Sequence, residues 1–142
     1  MGALLRRAIL TLAAALTLAP IVVAQTALAD ADYLDLGRKY YDWYASGQAD
    51  SILAHMAPDT RESVGGVEGV RASIDEFDAR AGIELEFVEE KMTRRHGSPQ
   101  YWREGRYTGF ADEPIVFRWV FNEQGEITGI GLNPKSRAPA PD

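Results

Sequence analysis

The chain contains no cysteine among its 142 residues, which excludes disulfides, a cysteine-linked lipid anchor and thiolate metal ligands. Its two histidines, His55 and His96, lie far apart in the sequence. We therefore expect no bound metal and no cofactor. A glycine-rich phosphate loop and a nucleophile elbow are also missing, so the chain carries no recognised catalytic motif.

Clusters of lysine and arginine are missing as well. The formal net charge is −6, from 15 basic and 21 acidic residues. Because nucleic acids and anionic membranes are bound through clustered basic side chains, this composition argues against both as partners. Solubility is a sufficient explanation of the acidic surface.

The N-terminal segment has the pattern of an export signal. Arg6 and Arg7 precede an uncharged run that ends in Ala27-Leu28-Ala29, the small-x-small sequence that signal peptidases cleave. We predict that residues 1–29 are a signal peptide removed after Ala29, so that the protein is periplasmic or secreted. Loss of two arginines and no acid takes the formal net charge from −6 to −8. The alternative is an uncleaved N-terminal membrane anchor, because the uncharged run is long enough to span a bilayer.

Hydrophobic periodicity predicts one α+β domain over residues 30–134. The first helix, 32–45, places Tyr33, Leu36, Tyr40 and Trp43 on one stripe. A short helix follows at 49–56, then a loop at 60–69, and a third helix ends near Gly82. Alternating segments at 83–88, 101–110, 115–121 and 126–134 predict four strands. We expect three N-terminal helices packed on a curved four-stranded antiparallel meander, followed by a disordered tail at 135–142.

The last hairpin predicts a register and an interface. We place Phe121 opposite Ile127, and regular alternation then places Trp119 opposite Gly129. The opposite, outer face of this hairpin also carries apolar side chains. Since an exposed apolar sheet face commonly marks an interface, we predict a homodimer through the outer sheet face.

One cation interrupts this apolar strand. Arg118 lies between Phe117 and Trp119, so the alternation points it away from the aromatic face. We expect it to pair with a Glu or Asp on a neighbouring strand or subunit. A bidentate contact to a carboxylate ligand is the alternative.

Two segments carry a resemblance to a known family. They are Tyr40-Tyr41-Asp42-Trp43-Tyr44 with Gly47 and Asp50, and the ending from Phe121 to Pro134. In this order they resemble the NTF2-like (cystatin-like α+β cone) superfamily, and are most similar to small exported modules that precede serine β-lactamase-like hydrolase domains. The resemblance implies helices that cover a curved sheet and leave a conical pocket. Some relatives are dehydratases, isomerases or hydrolases that use a pocket His and Asp, whereas others only bind ligands or dimerise.

Three functions are consistent with these residues. The first is a non-enzymatic exported module that binds a small apolar or aromatic ligand, or a protein partner. Its candidate ligand-binding residues, which are equally candidates for the core, are Tyr40, Trp43, Tyr44, Met56, Phe77, Phe87, Phe117 and Trp119. The second is a dehydratase- or isomerase-type enzyme with His55 as base and Asp59 or a pocket tyrosine as helper, although a helix-end histidine and a turn aspartate have ordinary structural roles. The third is a pure dimerisation module.

Overall fold

Four helices precede four strands in the computed structural model, which describes residues 26–142. The predicted signal peptide falls mostly on residues outside this range. The helices are α1 Asp30–Ala45, α2 Ala49–Ala54, α3 Pro58–Ser63 and α4 Gly66–Ala81. The strands are β1 Glu84–Arg95, β2 Ser98–Tyr107, β3 Phe110–Phe121 and β4 Ile127–Pro134. The α+β class is confirmed.

Glycine and proline set the helix boundaries. Gly47, at φ +74°, follows α1, and Gly82, at φ +69°, caps α4, because glycine adopts left-handed backbone conformations without a Cβ penalty. Helix α2 ends at Ala54, and Pro58 is the first residue of α3, where its missing N–H costs nothing. The predicted loop at 60–69 is therefore wrong, because residues 60–63 belong to α3 and residues 66–69 belong to α4. Residues 30–134 contain four helices rather than the three predicted.

The strands form one open antiparallel sheet in the order β1-β2-β3-β4. His96 and Gly97 both have positive φ, as a tight two-residue hairpin between β1 and β2 requires. The next turn is at Thr108–Gly109, so β3 begins at Phe110 and not at the predicted residue 115. Gly109 allows this turn to approach α4, because an added Cβ would lie 1.9 Å from the Arg80 carbonyl oxygen.

A bulge changes the register of the last hairpin. Phe121 pairs with Ile127 as predicted, but Val120 pairs with Gly129, so Thr128 is an extra residue on β4. Trp119 consequently pairs with Ile130 and not with Gly129. The predicted register is wrong beyond the bulge by one residue, which also changes the partner of Arg118.

The core lies between the helices and the inner face of the sheet. Trp119 is completely buried, and its neighbours in the core include Tyr33, Tyr40, Tyr44, Tyr101 and Phe117. Gly37 brings α1 close to the sheet, since its Cα faces the ring of Tyr101. None of the helices among residues 26–142 combines the length and apolar character that crossing a membrane requires.

The outer face of the sheet is covered in part by the C-terminal segment. Lys135–Arg137 form a 3₁₀ helix, and Lys135 Nζ donates to Glu104 Oε2 at 2.7 Å. Seven residues further on, the Asp142 carboxylate accepts from the Gly97 amide at 2.9 Å. The segment 135–142, predicted to be a disordered tail, thus contacts the domain at both ends. Val116 and Trp102, on this face, are buried.

Candidate functional site

Most of the predicted ligand-binding residues form a closed core. Tyr40, Tyr44, Met56, Phe117 and Trp119 are each at most 2% exposed. Their rings are in direct contact: the centroids of Phe117 and Trp119 lie 4.7 Å apart, and those of Tyr44 and Phe117 lie 4.9 Å apart. The structure brings these five side chains together, but as packing partners that leave no space for a ligand between them.

The other three predicted residues lie apart from one another. Phe87 is half exposed on the edge strand β1. Trp43 is half buried on α1, with the Lys39 ammonium 4.6 Å from its ring centroid. Phe77 on α4 packs against Tyr44 and also lines a cleft. Of the eight predicted residues, Phe77 is the one that lines the cleft between α4 and the sheet.

His55 and Asp59 do not form a pair. His55 ends α2, and its Nδ1 donates to the Ser51 carbonyl at 2.8 Å. Its ring lies against Trp43, with the centroids 4.9 Å apart. Asp59 is exposed in the first turn of α3, where its negative charge interacts favourably with the positive end of the helix dipole. Because Pro58 starts a new helix between them, the two side chains share no hydrogen bond in the described part of the chain.

One site with room for a ligand is a cleft of about 330 Å³ between α4 and the paired strands β3 and β4. This volume is at the lower end of the range for small-molecule sites. Residues of α4, of the two strands and of the 3₁₀ helix line it: Ser73, Glu76, Phe77, Arg80, Phe110, Ile115, Leu132, Asn133, Pro134 and Arg137.

The lining combines apolar and basic side chains. Phe77, Ile115 and Leu132 belong to the packed interior or contact it, so they give the cleft an apolar wall. Arg80 and Arg137 supply positive charge, and Glu76 forms an ion pair with Arg80 across one helical turn. Such a site suits a small molecule with an apolar body.

The cleft contains no activated base. Ser73 contacts the hydroxyl of Tyr44, which donates to the Ser73 carbonyl at 2.9 Å. Burial raises the pKa of Tyr44 to about 12, so the phenol stays protonated at neutral pH and does not serve as a base. Among residues 26–142, no three His, Asp or Glu side chains are grouped as a metal site would require.

A second cleft, of about 440 Å³, lies beside α1. Its walls include Leu28, which belongs to the predicted signal peptide, and its other lining residues are Asp32, Asp35, Leu36, Lys39 and Gln124. Cleavage after Ala29 would remove one apolar wall. This cleft is therefore the weaker candidate site if the predicted cleavage occurs.

Sequence reasoning missed a polar cluster beneath the first two strands. Arg103 forms two hydrogen bonds with the Glu84 carboxylate, at 2.8 and 3.2 Å. Tyr41 donates to the same carboxylate at 2.9 Å, and its ring lies 3.9 Å from the Arg103 guanidinium. The charges and hydroxyls satisfy one another, so this cluster ties α1 to the sheet. Its signal in the sequence is the mixture of aromatic and basic side chains at 101–107, which are Tyr101, Trp102, Arg103, Arg106 and Tyr107.

Arg118 has a different partner from the one expected. Its Nη2 donates to Asn133 Oδ1 at 2.7 Å, and no carboxylate among the described residues lies within ion-pair distance. Asn133 is also one of the residues that line the 330 Å³ cleft. The predicted pairing of Arg118 with a Glu or Asp on a neighbouring strand is therefore wrong within this chain.

Comparison with known proteins gives no relative. The chain matches no protein-family model, no curated protein and no solved structure. The resemblance to the NTF2-like superfamily consequently rests on the two sequence segments and the order of elements, and it stays a prediction.

Proposed function

We propose that this protein is an exported, non-enzymatic module of the NTF2-like type that binds a small apolar or aromatic molecule. The observation that carries the proposal is the 330 Å³ cleft with Phe77, Ile115 and Leu132 in its wall. The conical pocket expected from the resemblance corresponds, in this proposal, to this cleft at one end of the sheet. The closed aromatic core supplies rigidity to its walls.

The dehydratase or isomerase alternative has less support. It requires an ionisable group placed against the bound molecule. His55 and Asp59 lie outside both clefts, and Tyr44, which contacts Ser73 in the wall of the 330 Å³ cleft, stays protonated at neutral pH.

Binding is tested by filling the cleft from α4. Ser73 lines the cleft and Ala72, its neighbour, does not, although both are exposed on the same helix. We expect 1-octanol and 4-phenylbutyrate, as small apolar and aromatic probes, to raise the melting temperature of the purified protein. Ser73→Phe should abolish this shift, whereas Ala72→Phe should keep it.

The protein for this experiment is expressed as the full chain and processed by the host, and mass spectrometry of the product tests cleavage after Ala29. Failure of both probes to bind at millimolar concentration would refute the proposed function. Equal effects of the two phenylalanine variants would place binding elsewhere.

A dimerisation module is the second candidate, and the exposed edge strand favours it. Exposed apolar side chains lie on β1 and just before it: Ile83 is 73%, Leu85 62% and Phe87 51% exposed. Within residues 26–142, no strand pairs with the outer edge of β1. Its first half is acidic and its second half basic, so an antiparallel second copy would place opposite charges side by side. Size-exclusion chromatography at two concentrations tests this candidate, and a monomer at both would remove it.

A further inference from the structure

The sequence offers a second bond at which the export signal can be cut. Signal peptidases require small side chains at the first and third positions before the cut. The segment Val22-Val23-Ala24 supplies them, as Ala27-Leu28-Ala29 does. Signal peptides are roughly 15–30 residues long, so both bonds also satisfy the length requirement. Residues 22–24 lie outside the described residues, but Leu28 and Ala29 lie within them, and their contacts distinguish the two possible products.

Ala29 is the N-terminal cap of α1. Its carbonyl accepts hydrogen bonds from the backbone N–H groups of Asp32, at 3.0 Å, and Tyr33, at 3.1 Å. Its own N–H donates to Asp32 Oδ2 at 3.1 Å. These bonds matter because the N–H groups of the first helical turn have no acceptor within the helix. A chain that began at Asp30 would lose all three bonds and would place a charged ammonium at the positive end of the helix dipole.

Leu28 belongs to the folded domain as well. It is half-buried and packs against the hydrophobic core. A Cβ added to Gly125 would lie 2.9 Å from Leu28 Cδ1 and 2.7 Å from Leu36 Cδ1. The glycine therefore leaves room for both leucines at the turn between β3 and β4. An apolar residue just before the cap commonly fixes the direction in which the chain enters a helix, and here Leu28 occupies that position.

The residues before Leu28 have no comparable role in the described part of the chain. Thr26 and Ala27 are exposed and belong to neither a helix nor a strand. The part of the chain that the domain uses therefore begins at Leu28. A cut after Ala29 falls inside this part, whereas a cut after Ala24 leaves it whole. Only the second product keeps the cap, the Leu28 contact and the space at Gly125 consistent with one another.

We propose that the export signal is cut between Ala24 and Gln25, and that residues 25–29 remain with the exported protein. Leu28 and Ala29 then complete the N-terminal end of α1. The 440 Å³ cleft beside α1 keeps its Leu28 wall in this product. This inference rests on the proposed function, because only an exported chain is processed.

The N-terminus of the exported product tests the proposal. The full chain is expressed in a bacterial host, and the intact mass of the exported protein is measured, with allowance for loss of ammonia from an N-terminal glutamine. We expect a product that begins at Gln25. Ala24→Leu should remove this product, because leucine is too large at the last position before the cut. Ala27→Leu is the matched control: it disrupts the third position before the Ala29 bond and should leave the Gln25 product unchanged.

The melting temperature of the processed protein tests the role of Leu28. Leu28→Ser removes the half-buried apolar side chain and should lower the melting temperature by about 4 °C or more. Ala27→Ser introduces the same side chain at the exposed neighbour and should leave the melting temperature unchanged.

The outcomes separate this inference from the proposed function. A product that begins after Gln25 would overturn the inference and leave export intact. A chain that keeps its whole N-terminal segment would overturn both. A product that begins at Gln25, but whose melting temperature does not change in Leu28→Ser, would overturn the role given to Leu28.

Discussion

Replacing Gly37 by alanine has two opposing effects on stability: it raises the helix propensity of α1 and it overpacks the core. Gly37 lies inside α1, where alanine is favoured over glycine by about 1 kcal/mol when nothing else changes. In this helix the added Cβ would lie 2.3 Å from Cγ and Cδ2 of Tyr101 and 2.7 Å from its Cβ. Ordinary carbon contacts are about 3.5–4 Å. The helix or the ring must therefore move by more than 1 Å, roughly the difference between these distances.

The ring has little freedom to move. Tyr101 is fully buried in the core, and its hydroxyl donates to Glu90 Oε2 at 3.0 Å. Overpacking of a core costs about 1–3 kcal/mol, and a collision with a fixed ring belongs near the upper end. Subtracting the gain in helix propensity leaves a net destabilisation of about 1–2 kcal/mol.

Urea unfolding followed by circular dichroism measures this change directly. For a domain of this size, the predicted loss corresponds to a fall in melting temperature of about 4–8 °C. In a Tyr101→Ala background, which removes Cγ and Cδ2, the cost of Gly37→Ala should be much smaller. Equal or higher stability of Gly37→Ala in the wild-type background would show that α1 does not rest on Tyr101 and would refute the reasoning.

The remaining predictions concern pH. Burial raises the pKa of all six tyrosines, so the stability that they contribute is complete below pH 10 and is lost as the pH rises further. In an alkaline titration, the absorbance at 295 nm, which follows tyrosine ionisation, should therefore change together with the circular dichroism signal, which follows unfolding. Ionisation of two or more tyrosines near pH 10 in the folded protein would contradict this prediction. At acid pH, the hydrogen bond from Arg38, at 2.7 Å, lowers the pKa of Glu90. The ionised Glu90 carboxylate therefore contributes to the free energy of unfolding above its unfolded-state pKa of about 4.3. This contribution is lost as the pH falls through the lower pKa that Glu90 has in the folded protein. Between about pH 5 and 3, the urea midpoint of Glu90→Gln should consequently fall less than that of the wild type. If the two proteins show the same dependence of urea midpoint on pH, the Arg38–Glu90 pair has no role in acid stability.

The elements that the sequence predicted correctly carry strong local signals. Apolar spacing indicated α1 and α4, and the glycines at 47 and 82 marked their ends. Helix α3 was missed because it has no buried residue, and its sequence therefore shows no periodic spacing of apolar residues. The bulge at Thr128 was missed for a different reason. A single unpaired residue leaves the composition of a strand unchanged, and only the pairing with β3 shows it.

The candidate site was less predictable than the fold. Composition identified the aromatic residues, but a ring in a closed core and a ring in a pocket have the same sequence pattern. Arg118 was predicted to point away from the aromatic face, and its pairing with Gly131 and Asn133 depends on the register that the bulge creates. The absence of a carboxylate beside it is a tertiary property, which no spacing rule along one strand can show.

The packing of the helices explains why the open space lies at one end of the sheet. Helix α1 closes the centre of the inner face, since Gly37 allows it to approach Tyr101. Helix α4 packs chiefly against α2, through the buried side chains Val70 and Ile74 in its first half. Its second half extends past α2 beside β3 and β4, where Phe77 is the main apolar contact. Because a single ring does not fill this gap, the cleft is a consequence of the same helix arrangement that makes the rest of the core solid.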